Sequence, residues 1–241
     1  MTPVSTAPDK TADRIAGMFD AIAPRYDLLN HLLSAGIDKR WRARMIQSLE
    51  LTGRETLVDV CTGTGDVALA ARAAGAARVL GVDFAGAMLR LGVSKVHGAG
   101  QDDHVTLVRG DAMHLPVAAS VADAVTVAFG IRNVEQPEVA CREMARALRP
   151  GGRLAILEFG TPRVAGLRSL YQWYFRQVLP RLGRMISGHN AAYSYLPASV
   201  GAFPPPEVFC DTLRRSGFNN VRAVPLTFGI VYLYMGRRAA P

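Results

Sequence analysis

The stretch LVDVCTGTGD, residues 57–66, decides the fold of this chain, because an apolar run ends there in a turn of small residues. Residues 57–61 have the composition of a buried strand. Gly63 and Gly65 follow, and glycine lets a backbone turn sharply and approach a ligand where a Cβ would collide. A pattern of small residues that favours a helix begins at Asp66. The stretch therefore predicts the strand, turn and helix that open a βαβ unit.

Outward from this stretch, short β-type runs alternate with helical patterns, which is typical of a parallel sheet. The predicted strands are residues 57–61, 78–83, 104–111, 123–129 and 153–159, and the predicted helices are 66–75, 85–96, 136–148 and 206–218. Two last runs, 221–226 and 230–235, are separated by a short turn and predict an antiparallel hairpin. We therefore predict an α/β protein with a doubly wound, seven-stranded Rossmann-like sheet.

Two segments lie outside this pattern and are predicted to cover the sheet. Residues 9–50 are expected to be helical throughout, and residues 161–203 to hold a helix followed by a loop rich in Tyr and Pro. Ligands of doubly wound sheets bind beyond the carboxyl ends of the strands, where both segments can act as lids. We interpret the chain as one domain, 1–241, with an N-terminal lid (9–50), a cofactor-binding core (51–160), an inserted substrate lid (161–203) and a C-terminal helix and hairpin (204–241).

Composition narrows the class of protein. Of 241 residues, 49% are hydrophobic and 20% are charged, so the chain can bury a core, which a disordered protein cannot. Cys61, Cys141 and Cys210 are too far apart in sequence for a disulfide framework or a clustered zinc site, and no metal is predicted. No apolar run approaches about 18 residues, and the N-terminus lacks the apolar stretch of a secretory signal. The expected location is the cytoplasm.

The charge of the chain indicates an anionic partner, either nucleic acid or an anionic membrane. The net charge is +8, and five arginines but no acidic residue occur between Glu158 and Glu207. Residues 167–179 place apolar side chains on one helix face, which favours packing on the core or peripheral contact with the inner face of the membrane. The chain lacks an appended RNA-binding module and the Asn/Asp-Pro-Pro-Tyr/Phe signature, so we expect no nucleic acid partner. The sequence is also compatible with a homodimer.

Carboxylates at the ends of successive predicted strands indicate the cofactor, because the glycine turn alone also fits a dinucleotide. Asp83 is placed to accept hydrogen bonds from ribose hydroxyls, and Asp111 from an adenine amino group. Together with Asp59, these acids suit a ligand that is cationic at sulfur and repel a pyrophosphate. The chain also lacks a Tyr-x-x-x-Lys pair and a P-loop lysine. S-adenosylmethionine is the predicted cofactor, held by Asp59, Gly63, Thr64, Gly65, Asp83, Asp111, Ala112 and Ala128.

Segments outside this core give a resemblance to a known family. They are Met18-Phe19-Asp20-x-Ile22-Ala23-x-x-Tyr26-Asp27-x-x-Asn30, Ser34-x-Gly36, Arg40-Trp41-Arg42, Phe129-Gly130-Ile131-Arg132-Asn133-Val134, Leu157-Glu158-Phe159, Tyr193-x-Tyr195-Leu196, Phe203-Pro204, Gly217-Phe218 and Leu226-Thr227-x-Gly229-Ile230-Val231. From about Met18 to Arg238 the chain resembles the class I methyltransferases of quinone biosynthesis that act on demethylmenaquinone or a 2-polyprenyl-benzoquinol. It departs from them at Cys61, where many methyltransferases have Gly, and before Tyr193 and Ser199, where the family often has an acid.

The resemblance implies S-adenosylmethionine-dependent methylation of a ring carbon in a polyprenylated quinol. Demethylmenaquinol is the preferred acceptor, which makes the reaction the last step of menaquinone biosynthesis. Three alternatives stay open. They are carbon methylation of a 2-polyprenyl-benzoquinol in ubiquinone biosynthesis, methylation of a nucleic acid, and quinol binding without catalysis.

Four residues are candidates for the chemistry. A ring carbon becomes a better nucleophile when a quinol hydroxyl loses its proton, and the oxyanion then needs a fixed cation or hydrogen-bond donors. Arg132 and Asn133 follow the fourth predicted strand and are placed for that role, in which Arg132 supplies charge because it cannot accept a proton. Tyr26 and Tyr193, one on each lid, are candidate substrate ligands. In the competing interpretations Arg132 binds a neighbouring loop, and the tyrosines only pack against the lids.

Overall fold

Seven strands form one sheet at the centre of the computed structural model, which describes residues 10–34, 36–162, 166 and 190–240. In chain order they are β1 (Thr56–Val60), β2 (Arg78–Asp83), β3 (Val105–Arg109), β4 (Ala122–Ala128), β5 (Leu148–Phe159), β6 (Phe218–Leu226) and β7 (Val231–Arg238). Their order across the sheet is β3-β2-β1-β4-β5-β7-β6. Neighbours from β3 to β5 are parallel, and β7 is antiparallel to both β5 and β6.

Helices cover both faces of this sheet. In the described residues they are α1 (Ala12–Leu33), α2 (Ile37–Gln47), α3 (Asp66–Ala73), α4 (Gly86–Gly98), α5 (Pro137–Ala147), α6 (Asn190–Ala202) and α7 (Pro206–Arg215). Short 3-10 helices at Ile131–Asn133 and Thr227–Gly229 follow β4 and β6. Pro137 and Pro206 begin α5 and α7, where the missing N–H costs no helical hydrogen bond.

The sheet separates two hydrophobic clusters, because successive side chains of a strand point to opposite faces. In β5, Leu154 and Ile156 pack in the cluster that contains residues of α5 and α7, whereas Ala155 and Leu157 pack in the cluster that contains residues of α2 and α3. Burying each Leu or Ile stabilises the fold by about 1.5–3 kcal/mol. Burial on both faces explains why the central strands are continuous apolar runs in the sequence.

The predicted doubly wound sheet with an antiparallel hairpin is confirmed, and β5 shows the largest difference in a boundary. It begins at Leu148 instead of residue 153. Between the pairs Ala122–Leu148 and Ala124–Arg153 the register shifts, so residues 149–152 bulge out of the ladder. Pro150, Gly151 and Gly152 lie in this bulge, just after the end of α5.

The second lid segment differs from its prediction. The loop expected near residue 203 is the helix α6, although Pro197 lies inside it. Ser199 and Val200 of α6 are buried, and the Ser199 hydroxyl accepts a hydrogen bond from Arg132 Nε at 3.4 Å. This packing offsets the cost of a proline within a helix, about 3 kcal/mol. The helix predicted at 167–179 lies outside the described residues. Within the described ranges, no helix is both long and apolar enough to cross a membrane.

The strand order reverses between β1 and β4, and this reversal fixes where a ligand can bind. Because β1 pairs with β2 on one side and with β4 on the other, the connections that follow β1 and β4 diverge. A crevice therefore opens beyond the carboxyl ends of these two strands. The turn after β1, residues 61–65, lies in this crevice.

Candidate cofactor and active site

The turn after β1 has a left-handed backbone at three positions. The angle φ is +56° at Cys61, +58° at Gly63 and +80° at Gly65. Glycine adopts this conformation freely, whereas cysteine does so at a cost of about 1–2 kcal/mol. Apart from the two neighbouring residues in the chain, no described residue has an atom within 4 Å of the position where Gly63 would carry a Cβ. The turn therefore presents bare backbone to the crevice, which permits close approach of a ligand.

Asp59, one of the predicted cofactor ligands, supports this turn from inside the protein. Its side chain is buried, and its two carboxylate oxygens accept hydrogen bonds from the hydroxyls of Thr62 (2.6 Å) and Thr126 (2.7 Å). Burial raises the pKa of Asp59 to about 6, although both hydroxyls oppose the shift. Asp59 therefore joins the turn after β1 to β4, and its direct contact with the cofactor stays a prediction.

Asp83 ends β2 and faces the crevice. One of its carboxylate oxygens accepts a hydrogen bond from the Gly63 N–H (2.8 Å), and the other accepts one from the Ala85 N–H (2.9 Å). Burial raises the pKa of Asp83, and the backbone N–H groups oppose that shift. Each oxygen keeps a second lone pair, which fits the two adjacent hydroxyls of a ribose. The carboxylate is thus fixed where a nucleoside above the glycine turn meets it.

Gly63 and Asp83 border a cavity that α1 roofs. Its other walls are Phe19, Tyr26, Cys61, Phe84, Met88, Ala128, Phe129, Gly130 and Asn133. Phe19 and Tyr26 of α1 pack edge to face, with ring centroids 5.9 Å apart. The open volume is about 30 Å³, room for about two water molecules. The carboxylate, the bare turn and the apolar walls match the chemical groups of S-adenosylmethionine. Because the molecule is larger than this cavity, α1 must move outward to admit it.

Gly130 allows the turn after β4 to lie against the turn after β1. A Cβ on Gly130 would collide with the Cβ of Cys61 and lie 2.9 Å from its sulfur. Both residues border the cavity, so their contact fixes one of its walls.

We expect Gly130→Ala to weaken S-adenosylmethionine binding about tenfold and to destabilise the fold by about 1–3 kcal/mol, because the added methyl group forces the two turns apart. Adding Cys61→Gly removes the colliding side chain and should restore most of the affinity. Gly98→Ala is the matched control, since no atom lies within 4 Å of its Cβ position. Titration calorimetry measures the affinities. Equal binding by Gly130→Ala and the wild type would contradict this account of the wall.

Arg132 is buried in an ion pair with Glu158. Its Nη1 lies 2.7 Å from Glu158 Oε1 and also donates to the carbonyl of Phe129. The guanidinium carbon lies 5.3 Å from the ring centroid of Phe159. Arg132 is 6% exposed and Glu158 is 0% exposed, so the two charges neutralise each other inside the protein. This geometry favours the interpretation that Arg132 holds the loop after β4, and its contact with a substrate oxyanion stays a prediction.

Asn133 carries a polar atom whose hydrogen bonding is incomplete. Its Nδ2 donates to the carbonyl of Phe129 at 3.4 Å, whereas its buried Oδ1 has no hydrogen-bond partner among the described residues. A buried acceptor without a partner costs about 1–3 kcal/mol. Because Asn133 borders the cavity, a ligand that donates a hydrogen bond there would remove this cost.

The predicted site residues fall into groups by their placement. Gly63, Asp83, Ala128, Tyr26 and Asn133 border the cavity, and Thr64 and Gly65 complete the turn beside it. Asp111 and Ala112 follow β3 outside the lining, and Asp111 accepts a hydrogen bond from the Met113 N–H at 2.8 Å. Tyr193 belongs to α6, and its side chain lies outside the described residues. The structure therefore brings two of the four candidates for the chemistry, Tyr26 and Asn133, to the cavity that the cofactor candidates border.

Two residues of the site were missed in the sequence analysis. Glu158 was quoted only as part of a motif, although a carboxylate inside the apolar strand β5 signals a buried partner. Lys95 contacts Thr64 in the glycine turn, with its Nζ 3.0 Å from the threonine hydroxyl. No local pattern around Lys95 indicates this contact, because the two residues meet only through the tertiary fold.

The sheet order, the glycine turn and the Asp83 carboxylate define a class I S-adenosylmethionine-dependent methyltransferase. A model of the ubiE/COQ5 methyltransferase family matches residues 8–238. The chain belongs to this family.

Curated relatives match nearly the full length of the chain. The "Ubiquinone/menaquinone biosynthesis C-methyltransferase UbiE" of Syntrophotalea carbinolica is 51% identical over 225 residues, which cover 93% of this chain and 94% of the relative. The "Demethylmenaquinone methyltransferase" of Thermus thermophilus is 45% identical over 222 residues, which cover 92% of this chain and 100% of the relative.

Solved structures share the fold at low sequence identity. The Haemonchus contortus phosphoethanolamine N-methyltransferase 2 in complex with S-adenosyl-L-methionine has a TM-score of 0.64 and 14% identity, and the match covers 83% of this chain and 53% of that chain. The [4+2]-cyclase SpnF has a TM-score of 0.65 and 18% identity, with coverage of 96% and 97%. Because a cyclase shares this architecture, the fold alone does not fix the reaction.

Proposed function

We propose that this methyltransferase methylates a ring carbon of a polyprenylated quinol, and that demethylmenaquinol is the preferred acceptor. Two named relatives at 51% and 45% identity carry quinone biosynthesis or demethylmenaquinone in their names. The geometric observation that carries the proposal is the buried Oδ1 of Asn133, which has no hydrogen-bond partner in the described part of the chain and belongs to the same cavity lining as Asp83. A quinol hydroxyl is a donor that satisfies this oxygen.

For this reaction the protein must orient the two reactants, exclude water and stabilise the charge that develops on the quinol. Bound S-adenosylmethionine supplies a methyl group activated by the positive charge on its sulfur. The ring carbon forms a bond to that methyl carbon as the sulfur–methyl bond breaks, and then loses its own proton to water, which restores the aromatic ring. Good orientation alone contributes about 7–11 kcal/mol to lowering the barrier. Phe19 and Tyr26 exclude bulk water from above, and Asn133 orients the ring through one hydroxyl.

Arg132 is a positioning residue in this proposal. Its hydrogen bond to the Phe129 carbonyl and its ion pair with Glu158 fix the short helix that carries Asn133. The ion pair therefore serves both the fold and the orientation of the acceptor.

Methyl transfer from labelled S-adenosylmethionine to a reduced short-tail demethylmenaquinol, beside a reduced polyprenyl benzoquinol, tests the proposal. Turnover of the naphthoquinol above that of the benzoquinol supports it. Turnover of the benzoquinol alone would instead assign the protein to ubiquinone biosynthesis. Methyl transfer to bulk RNA alone would show a nucleic-acid methyltransferase. If no acceptor is methylated although S-adenosylmethionine still protects the protein against heat, the remaining alternative is a protein that binds quinol without catalysis.

We also propose that the enzyme meets its lipid substrate at an anionic membrane, through the edge of the sheet where the cavity lies. Val231 at the start of β7 pairs with Phe159 at the end of β5, so the turn Thr227–Gly229 lies beyond the same carboxyl edge. Phe228 in this turn is 76% exposed. An exposed aromatic ring and a net charge of +8 both favour contact with an anionic lipid surface.

We expect Phe228→Ser to weaken binding to phosphatidylglycerol vesicles about tenfold, because the ring no longer enters the apolar layer. The turn itself should persist, since Trp41 Nε1 still donates to the Thr227 hydroxyl (2.8 Å). Val93→Ser is the control, because Val93 is 50% exposed on α4. Vesicle co-sedimentation at low salt measures both variants. If Phe228→Ser and Val93→Ser bind the vesicles equally well, Phe228 does not contribute to membrane binding.

A further inference from the structure

A network of charged side chains joins the N-terminal helix to the glycine turn, and Lys95 lies at its centre. The Lys95 ammonium lies 2.5 Å from Asp27 of α1 and 2.7 Å from Asp66 of α3. It also donates to the Thr64 hydroxyl at 3.0 Å, and that hydroxyl in turn donates to Asp27 at 2.7 Å. Arg42 of α2 extends the network through a contact of 3.1 Å with Asp66. Four elements therefore meet at one ammonium group.

The contacts of Asp27 form one polar attachment of α1, to the glycine turn and to α4. Asp20, two helical turns earlier on the same side of α1, accepts a hydrogen bond from the Ala87 N–H at the start of α4 (2.7 Å). Between them lies a small apolar cluster built around Ala23 and Met88, which is separate from the two large clusters of the sheet. Because this cluster is separate from the clusters of the sheet, α1 can lift without disturbing the main core.

The cavity beneath α1 requires such a movement. Its volume of about 30 Å³ is far below the size of S-adenosylmethionine. The roof consists of Phe19 and Tyr26, and Tyr26 directly precedes Asp27. The Asp27 attachment therefore controls the position of the aromatic side chain above the cofactor site.

We propose that Lys95 is a positioning residue that holds α1 closed over the bound cofactor and so sets how long the cofactor stays. Lys95 contacts the lid through Asp27 and the cofactor turn through Thr64, so one side chain couples closure of the lid to the shape of the turn. The inference rests on binding of the cofactor beneath α1, and it does not depend on which molecule accepts the methyl group. Thr64, which we predicted as a direct cofactor ligand, uses its hydroxyl in this coupling.

The charge state of Lys95 suits this role. Burial lowers the pKa of its ammonium, but the hydrogen bonds and charges of Asp27 and Asp66 outweigh burial and raise it. The ammonium therefore stays charged at neutral pH. Since the group is only partly buried, added salt should weaken the attachment.

The dissociation rate of tritiated S-adenosylhomocysteine, measured by rapid filtration, tests the inference. We expect Lys95→Met to raise this rate about tenfold, and Lys95→Arg, which keeps the charge, to restore most of the residence time. Lys39→Met is the matched control because Lys39 is exposed on α2. The assay contains no quinol, so its result stands whatever the methyl acceptor is.

Backbone amide exchange separates positioning of the lid from a general loss of stability. We expect faster exchange in Lys95→Met over α1, and unchanged exchange in the strands. Asp27→Asn should have the same two effects, and the double variant should add little to either single change because one contact is lost. An unchanged dissociation rate in both single variants, or exchange that rises throughout the sheet, would overturn the proposal.

Discussion

Replacing Arg132 with methionine is expected to destabilise the fold by about 3–5 kcal/mol, because Glu158 then keeps a buried charge without its partner. Glu158 is fully buried, and Arg132 Nη1 is 2.7 Å from its carboxylate. The same change releases the Phe129 carbonyl and with it the loop that carries Asn133. Methyl transfer should therefore fall at least a hundredfold. Denaturant unfolding measures the stability, and single-turnover methyl transfer measures the activity.

Two controls separate the ion pair from a general effect of removing arginine. Arg214→Met breaks an exposed ion pair with Asp211 and should cost less than about 1 kcal/mol. Arg132→Met combined with Glu158→Gln removes both charges, so most of the stability should return while the activity does not. If Arg132→Met unfolds at the same denaturant concentration as the wild type, the ion pair does not hold the loop.

Asp83→Asn is expected to weaken S-adenosylmethionine binding about a hundredfold or more. Hydrogen bonds to a charged group contribute about 1.5–3 kcal/mol each, and the carboxylate has a lone pair for each ribose hydroxyl. The amide also places an NH₂ group opposite the N–H of either Gly63 or Ala85, which now donate to the two carboxylate oxygens. Loss of the charge and disturbance of the turn therefore act in the same direction. Titration calorimetry with S-adenosylhomocysteine measures the affinity.

Asp103→Asn is the matched control for this variant, since Asp103 is exposed in the turn before β3. It should bind the cofactor as the wild type does. Melting curves in the absence of ligand show whether Asp83→Asn keeps its fold. A folded Asp83→Asn protein with wild-type affinity would mean that the cofactor lies elsewhere on the sheet edge.

The sequence predicts the sheet well because the relevant signals are local. Apolar runs that are buried on both faces identify the strands, and Gly63 and Gly65 identify the turn between β1 and α3. The helical character of the N-terminal lid also follows from local patterns, although the division into α1 and α2 at Gly36 was not predicted. Asp83 could be placed at the edge of the site because it ends a strand, and parallel strands end at one edge.

The remaining features of the site depend on contacts between residues distant in sequence. The hydrogen bond that Asp59 accepts from Thr126, 67 positions later in the chain, has no local signal in the sequence. Lys95 reaches Asp27 on a helix that packs on α4 only in the folded chain. The helix α6 was missed because Pro197 argues locally against it, and its packing on Arg132 is a tertiary effect. Propensity and periodicity contain none of this information.

The position of the transferred methyl group tests the central claim most directly. The enzyme would be incubated with S-adenosylmethionine labelled with ¹³C at the methyl group and with a reduced short-tail demethylmenaquinol. We predict by NMR that the label is bonded to a ring carbon, that the ring C–H signal is lost and that both quinol hydroxyls remain. Label on a quinol oxygen, or no transfer by a protein that binds the cofactor, would contradict the account.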